Sequence, residues 1–583
     1  MYNKINILFN YFVIMYFKHT HMKNLLILLL LLPLFSRAQF TFDQGFGLGN
    51  SGIDGFTSIV VDSTGNKYCA GSFEDSIDAD PGSGVSILYG NSSETDAFVA
   101  KYGPAGNLIW AKALGGNGAD EVTSMELDHD GNVYIAGYFE STADFGGGTL
   151  TSIGPYDLFV AKFDATGQHI WSKRYGGIDE STQIFFSVDD TGNNIAICGY
   201  FSDTLDLGTG LLHANGSTSP FVALLNSSGD ALWAHTFGGP STDRATAIYL
   251  SNSGNVYLSG VTSGINVDVD PGSGTYYISS FGSSDIYLIR YDITGAFHSA
   301  FSLEGEGGDI IFAIDITDNN ELYLTGYTNS DSIDVDPDSA NAVFLYGDTT
   351  ISFVQDILLT KYDSSYNYLW SLRMGKRASD SGRKIKVDNQ GNVLLAGSIA
   401  DSNIDFDPGP ATFYLSGDTN NLTNNSSFLA QYDQNGAFVG AFTFEDSLTI
   451  GSIFLKDDGR VWVCGNFRSP SIDLDPGIGN TNTLNGGLTD AFLAAYLYQF
   501  NSSVAEYPSQ RINFFPNPCA DILKTDLIYK NQIVKIYNSL GSIVRQTKLT
   551  INGTIDMKDL KSGVYTIAIY DDSVMSTFKI IKN

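Results

Sequence analysis

One motif recurs seven times along the chain: Gly-Asn, alternating apolar residues, glycine, then in most copies an aromatic. The copies are "GNKYCAGSF", "GNVYIAGYF", "GNNIAICGYF", "GNVYLSGV", "NELYLTGY", "GNVLLAGS" and "GRVWVCGNF". Their second glycines, Gly71, Gly137, Gly199, Gly260, Gly326, Gly397 and Gly465, lie 61 to 71 residues apart. A period of that size marks an array in which each unit buries its faces against its neighbours. The second unit shows the internal order best: "EVTSMELDHDG", "NVYIAGYF", a variable loop, "DLFVAKFDATG" and "QHIWSKRYGG". Each piece alternates apolar and polar residues at period two and ends on a tight-turn signal, so each unit is expected to be four antiparallel strands. Seven such sheets stack economically by closing radially, which leaves only short, protected edges.

The chain ends support closure. The seventh unit runs "SIFLKDDG", "RVWVCGNF", "DAFLAAYLYQF" and lacks a fourth strand, while an orphan stretch before the first unit, "QFTFDQGFGLG" (39–49), reads as one. Joining the two hides a sheet edge that would otherwise invite aggregation. The expected fold is therefore all-β, a seven-bladed β-propeller closed by its N-terminal strand. The unit "DHDGNVYIAGYF…DLFVAKFDATGQHIWSKRYGG" resembles the bacterial β-propeller repeats called SBBP repeats, over roughly residues 40 to 500. That resemblance implies a fold and no particular activity.

Charge divides the chain. With 64 Asp and Glu against 32 Lys and Arg the net charge is −32, yet residues 1–38 and 508–583 each carry +4. Such acidity excludes nucleic acid as a natural partner, since phosphates need a basic footprint. The N-terminus reads as an export signal over 1–38, with Lys23, the apolar run "LLILLLLLPLF" and small Ser36 and Ala38 before the cut, and the true start is possible at Met22. The run is too short for a membrane anchor. Four cysteines without CxxC spacing argue against zinc or redox chemistry.

After the propeller (39–500) and a polar linker (501–510), residues 511–583 form a second set of strands expected to make a small β-sandwich. Its pieces "INFFPNPCADIL", "IVKIYNSLGSIVRQTKL", "TIDMKDLKSGVYTIAIY" and "FKIIKN" resemble the type A sorting domain of the type IX secretion system of Bacteroidota. The resemblance implies periplasmic passage, recognition by the type IX machinery, and release or surface attachment. The protein is then secreted or on the cell surface, and is expected to be a monomer.

The loop between strands two and three carries an acid in every unit: Asp78, Asp144, Asp206, Asp268, Asp334, Asp405 and Asp473. Five units add a second, Asp80, Asp270, Asp336, Asp407 and Asp475, and Asp338 makes a third in unit five. Residues i and i+2 on a strand are about 6.6 Å apart, so two ionised Asp repel by about 0.6 kcal/mol in water and about 2.5 kcal/mol at a dielectric of 20. The larger cost calls for a cation, for which calcium with its oxygen ligands is the fitting choice, or for backbone N–H donors. Aspartates beside Pro and Gly favour the second, turn-capping reading. Strand order is expected to set these loops on one propeller face, beside the Gly-Gly loops between units.

Other motifs carry less. "GLGNSG" matches GxGxxG but opens no helix. Trp110, Trp171, Trp233 and Trp370 share one outer-strand position and read as packing between units, and the histidines form no catalytic spacing. The expected function is binding or adhesion to a glycan or protein. The alternative is a glycan-active hydrolase or lyase using acids on the loop-bearing face, which would need a carboxylate pair set across a cleft.

Overall fold

The computed structural model describes residues 40–497 except 50–51, 92–93, 178–182, 339, 348–353, 418–425, 445–447, 457, 476–482 and 486–487, and then 514–515, 522–525, 533–537, 543–548, 554–571 and 574–582. The expected signal segment and linker lie outside the described residues. The chain divides into two compact units at Gln499/Phe500.

The first unit is a β-propeller. Among the described residues a four-stranded antiparallel sheet recurs seven times. In unit one its strands are Gly55–Val61, Lys67–Phe73, Asp96–Tyr102 and Leu108–Gly116. In unit seven the order is Leu448–Lys456, Arg460–Phe467, Asp490–Leu497 and, as the outer strand, Thr41–Leu48 from the N-terminus. That strand pairs antiparallel with Asp490–Leu497 from Thr41↔Leu497 to Leu48↔Ala491. Successive sheets pack face to face, and the seventh packs on the first, so the ring closes.

Why these residues make this ring is visible in their burial. Seven clusters of buried apolar side chains occur, one per contact between neighbouring units. The seam holds Phe56, Cys69 and Phe98 of unit one against Trp462, Cys464 and Leu493 of unit seven. Each fully buried Leu, Val or Phe contributes about 1.5 to 3 kcal/mol. Strand two is apolar on both faces because it is covered from both sides.

The first strand of each unit lines the axis and is a sheet edge, so its free backbone groups need partners. Neighbouring units supply them. The Thr57, Thr123 and Thr246 hydroxyls donate to the carbonyls of Val122, Ile184 and Ile311 in the next unit. Thr57, Thr123 and Thr246 each fall at a register shift in the first strand, a bulge that turns the side chain across the axis.

The acidic loops differ from expectation. Each is the tip of a two-stranded hairpin, Ser76–Asp78 with Ile87–Tyr89 in unit one, and each hairpin folds back along the sheet instead of crowning the end. In unit two the hairpin strand runs antiparallel to the outer strand of unit one, pairing Gly115↔Asp144 and Gly116↔Ala143. The reversal is made by Asp75, Ser141, Asp203, Asn266 and Asn403, all at φ between 56° and 60°. Radial sheets diverge away from the axis, and the hairpins fill the resulting wedges: Ile77, Phe145, Leu207, Val269, Val335, Phe406 and Leu474 belong to the seven clusters. Among the described residues the upper end holds the loops between units, the segments that lead from the hairpins into strand three, and the mouth of the axis.

The second unit, described by itself, has a three-stranded sheet of Phe514–Phe515, Ile522–Thr525 and Thr554–Asp556, and a four-stranded sheet in the order Ile543–Lys548, Ile533–Tyr537, Gly563–Asp571, Val574–Lys582. Val534, Ile536 and Ile567 from one sheet and Ile555 from the other are buried, as in a small sandwich.

Candidate functional site

The Asp-x-Asp turns are satisfied from within. Asp78 Oδ1 accepts the N–H groups of Asp80 (3.1 Å) and Ser86 (2.8 Å), and Asp80 Oδ1 accepts Gly82 N–H (2.8 Å). The same bonds recur at Asp268 from Asp270 and Tyr276, at Asp270 from Gly272, at Asp405 from Asp407 and Phe413, and at Asp407 from Gly409. In unit five Asp334 accepts from Asp336 and Val343, Asp336 from Asp338, and Asp338 from Ala340. Asp473 accepts from Asp475 N–H at 3.0 Å. In each pair one carboxylate oxygen is thus engaged by backbone N–H donors, which is the geometry of a capped turn. Among the described residues no group of three or more His, Cys, Asp or Glu side chains could hold a metal ion.

A tyrosine seats the paired acids. The hydroxyls of Tyr291, Tyr362, Tyr432 and Tyr496, at one position in strand three, donate to the carbonyl between the two Asp of their own unit, at Val269, Val335, Phe406 and Leu474. Tyr102 occupies that position in unit one. Units two and three carry Phe163 and Leu225 instead, and these are the two units whose second Asp is Gly146 or Gly208. The hairpin acids are thus distributed over separate wedges, and Asp334 and Asp336 line a small cleft with Glu304 of unit four.

The upper end of the axis opens into a cavity of about 780 Å³. Its wall takes Thr57 and Thr123 from units one and two, Phe185 and Phe312 from three and five, Ser398 and Ser427 from six, and Thr449 and Asn466 from seven. It also carries three cations, Arg383, Lys384 and Arg468, and among the described lining residues no carboxylate. Arg383 Nε donates to Ser381 Oγ at 2.9 Å and the guanidinium lies 4.1 Å from the Phe312 ring centroid. Burial holds the Arg383 guanidinium and the Lys384 ammonium below their usual pKa values. The lower cavity differs: there Lys386 lies 3.9 Å from Asp315, with Glu126 and Asp190 nearby.

Buried carboxylates ring the start of the first strands. Asp120 Oδ2 accepts Gly116 N–H at 2.6 Å, Asp309 accepts Ser330 Oγ–H and Asn329 N–H, and Asp380 accepts Ala400 N–H. All three are fully buried. Burial pushes Asp120 and Asp380 up to about 8 and Asp309 to about 6. They tie the loops between units to the strands below.

The tryptophans pack as spacers. Trp171, Trp233 and Trp370 donate their indole N–H to Ser227, Ile293 and Gln434 carbonyls in the next unit, and rest on Gly229, Gly295 and Gly436. Trp110 rests on Gly167 in the same way. Cys69, Cys198 and Cys464 are buried free thiols. The GxGxxG stretch is partly outside the described residues, and Gly47 within it belongs to the closing strand.

Residues 513–583 match the family model of the secretion system C-terminal sorting domain. The match marks the chain for type IX export to the cell surface or the extracellular space. Among the described residues no helix is long and apolar enough to cross a membrane. The chain is 25% identical over 437 residues to an uncharacterized WD repeat-containing protein of Acanthamoeba polyphaga mimivirus, covering 60% of this chain and 30% of the relative. It is 26% identical over 257 residues to the regulatory protein FlaEY of Caulobacter vibrioides, covering 40% and 26%. It therefore spans less than a third of either relative. Among solved structures, the WD40 domain of Toxoplasma gondii coronin aligns at 9% identity over 80% of this chain and 90% of that one, with a TM-score of 0.34. A protein of unknown function from Bacteroides caccae aligns at 9% identity over 67% and 89%, with a TM-score of 0.28. The propeller assignment stands on sheet order and ring closure.

Proposed function

We propose that the chain is a secreted or cell-surface binding protein, a propeller of SBBP-type repeats that takes an extracellular glycan or protein at the upper end of its axis. The observation that carries this reading is the axial cavity. It is the size of small-ligand pockets, and four of the seven units contribute polar or charged side chains to its wall. Repeat symmetry is broken there, while the hairpin acids keep it. The Asp-x-Asp pairs act as turn caps in this reading, and the alternative of hydrolysis by loop acids finds no support in their separate wedges. Type IX export delivers the domain to its ligand after removal of residues 1–38.

The test is to probe arrays of glycans and extracellular proteins with the secreted protein and with Thr449→Trp, which fills the mouth from an exposed position. A ligand bound by the first and lost in the second is expected. No ligand, or one indifferent to Thr449→Trp, would contradict the reading.

A further inference from the structure

A charge anomaly lies in that cavity. In a chain of net charge −32, three cations lie in one wall, and among the described lining residues there is no carboxylate. Four basic side chains elsewhere in the propeller are matched by acids: Arg174 by Asp157 (2.6 Å), Arg373 by Asp356 (2.7 Å), Lys361 by Glu321 (3.1 Å) and Arg460 by Asp43 (2.9 Å). Among the described residues Lys384 has no hydrogen-bond or ion-pair partner, and Arg383 uses only Nε, leaving its planar fork available. Stacking on Phe312 and the bond to Ser381 hold that fork in one orientation, so little freedom would be lost on binding. The remaining wall, Ser398, Thr449 and Asn466, offers hydroxyl and amide groups.

We infer that the cavity binds the anionic group of an acidic saccharide, with Arg383 and Lys384 gripping the carboxylate or sulfate, Arg468 at the rim, and the hydroxyl-bearing wall meeting the sugar. Resting on the binding role proposed above, this adds the ligand class and the residues that choose it. An unmatched ammonium in a wall is costly by itself, and a bound anion removes that cost. Attraction of the anion also explains how an acidic surface can admit an acidic ligand: the approach is along the axis, toward a basic patch.

Calorimetric titration of the full-length secreted protein with trigalacturonate, maltotriose and sodium sulfate at matched ionic strength tests the inference. Trigalacturonate is expected to bind, more weakly as salt rises, and maltotriose is not. Arg383→Met and Lys384→Met should each weaken binding about tenfold or more, and Arg383→Lys should recover part of it. Arg468→Gln, at an exposed rim position, should weaken it a fewfold and keeps the test decidable if a strand variant fails to fold. Maltotriose binding equal to trigalacturonate, or binding unchanged in all these variants, would overturn the inference. Sulfate binding as tightly as trigalacturonate would overturn its saccharide half. Failure of trigalacturonate beside an array ligand still blocked by Thr449→Trp refutes this inference alone and leaves the binding role standing.

Discussion

Asp120 illustrates how single residues trade stability for geometry. Its carboxylate is fully buried and accepts Gly116 N–H, and its pKa is raised to about 8 by burial, with Asp96 adding repulsion. Between the unfolded value near 3.8 and 8 the folded state holds a proton that the unfolded chain has lost, so this group's contribution falls as pH rises, by up to about 1.4 kcal/mol per pH unit. Asp120→Asn keeps an acceptor for Gly116 and cannot ionise. Chemical denaturation should find the variant more stable than the parent at pH 8 and equal near pH 4; a variant less stable at pH 8 would show the charge to be favourable. The hairpin acids behave otherwise. Asp405→Ala leaves two N–H donors, Asp407 and Phe413, without their acceptor, for a loss of about 1 to 3 kcal/mol. On the turn-capping reading, calcium against chelator should leave the melting temperature of the parent unchanged, whereas a rise with calcium would favour the metal reading.

At the scale of elements, strand order was legible in the sequence and hairpin direction was not. Alternation and Gly-Asn turns specify four strands per unit, and the orphan "QFTFDQGFGLG" identified the strand that closes the ring. In five of the hairpins the fold-back is made by one left-handed residue, an Asp, Ser or Asn, and polar residues in a loop carry no mark of that conformation. Asn403, at φ 56°, makes the point testable. Asn403→Gly should be nearly neutral, and Asn403→Val should cost about 1 to 3 kcal/mol because a β-branched side chain resists positive φ. Equal stabilities would remove the reversal from the account. The axial cations escaped a repeat-based reading for the opposite reason. At the bulge where units one, two and four carry Thr57, Thr123 and Thr246, unit six carries Arg383. Averaging over repeats hides such departures. The signal was nevertheless present: "GRKIK" concentrates three cations in five residues of a chain with 32 in all.

The whole molecule couples export, closure and site. Truncation after Gln510 should leave the protein in the periplasm of a type IX-competent host, as fractionation and immunoblotting would show; normal secretion would contradict the role of the sorting domain. Closure matters more directly to function, because the cavity wall is built across the seam, with Arg383 and Lys384 from unit six, Thr449 and Arg468 from unit seven and Thr57 from unit one. The outer strand of unit seven comes from the chain's beginning, and Leu48 and Phe46 pack from it into the seam cluster that joins units one and seven. The central claim is that this strand locks seven repeats into one ring. Thermal unfolding of the secreted protein lacking residues 39–49 tests it most directly. The account predicts a large fall in the melting temperature and a broadened transition, as an open array unravels from its exposed edge; a transition as sharp and as high as that of the intact protein would contradict it.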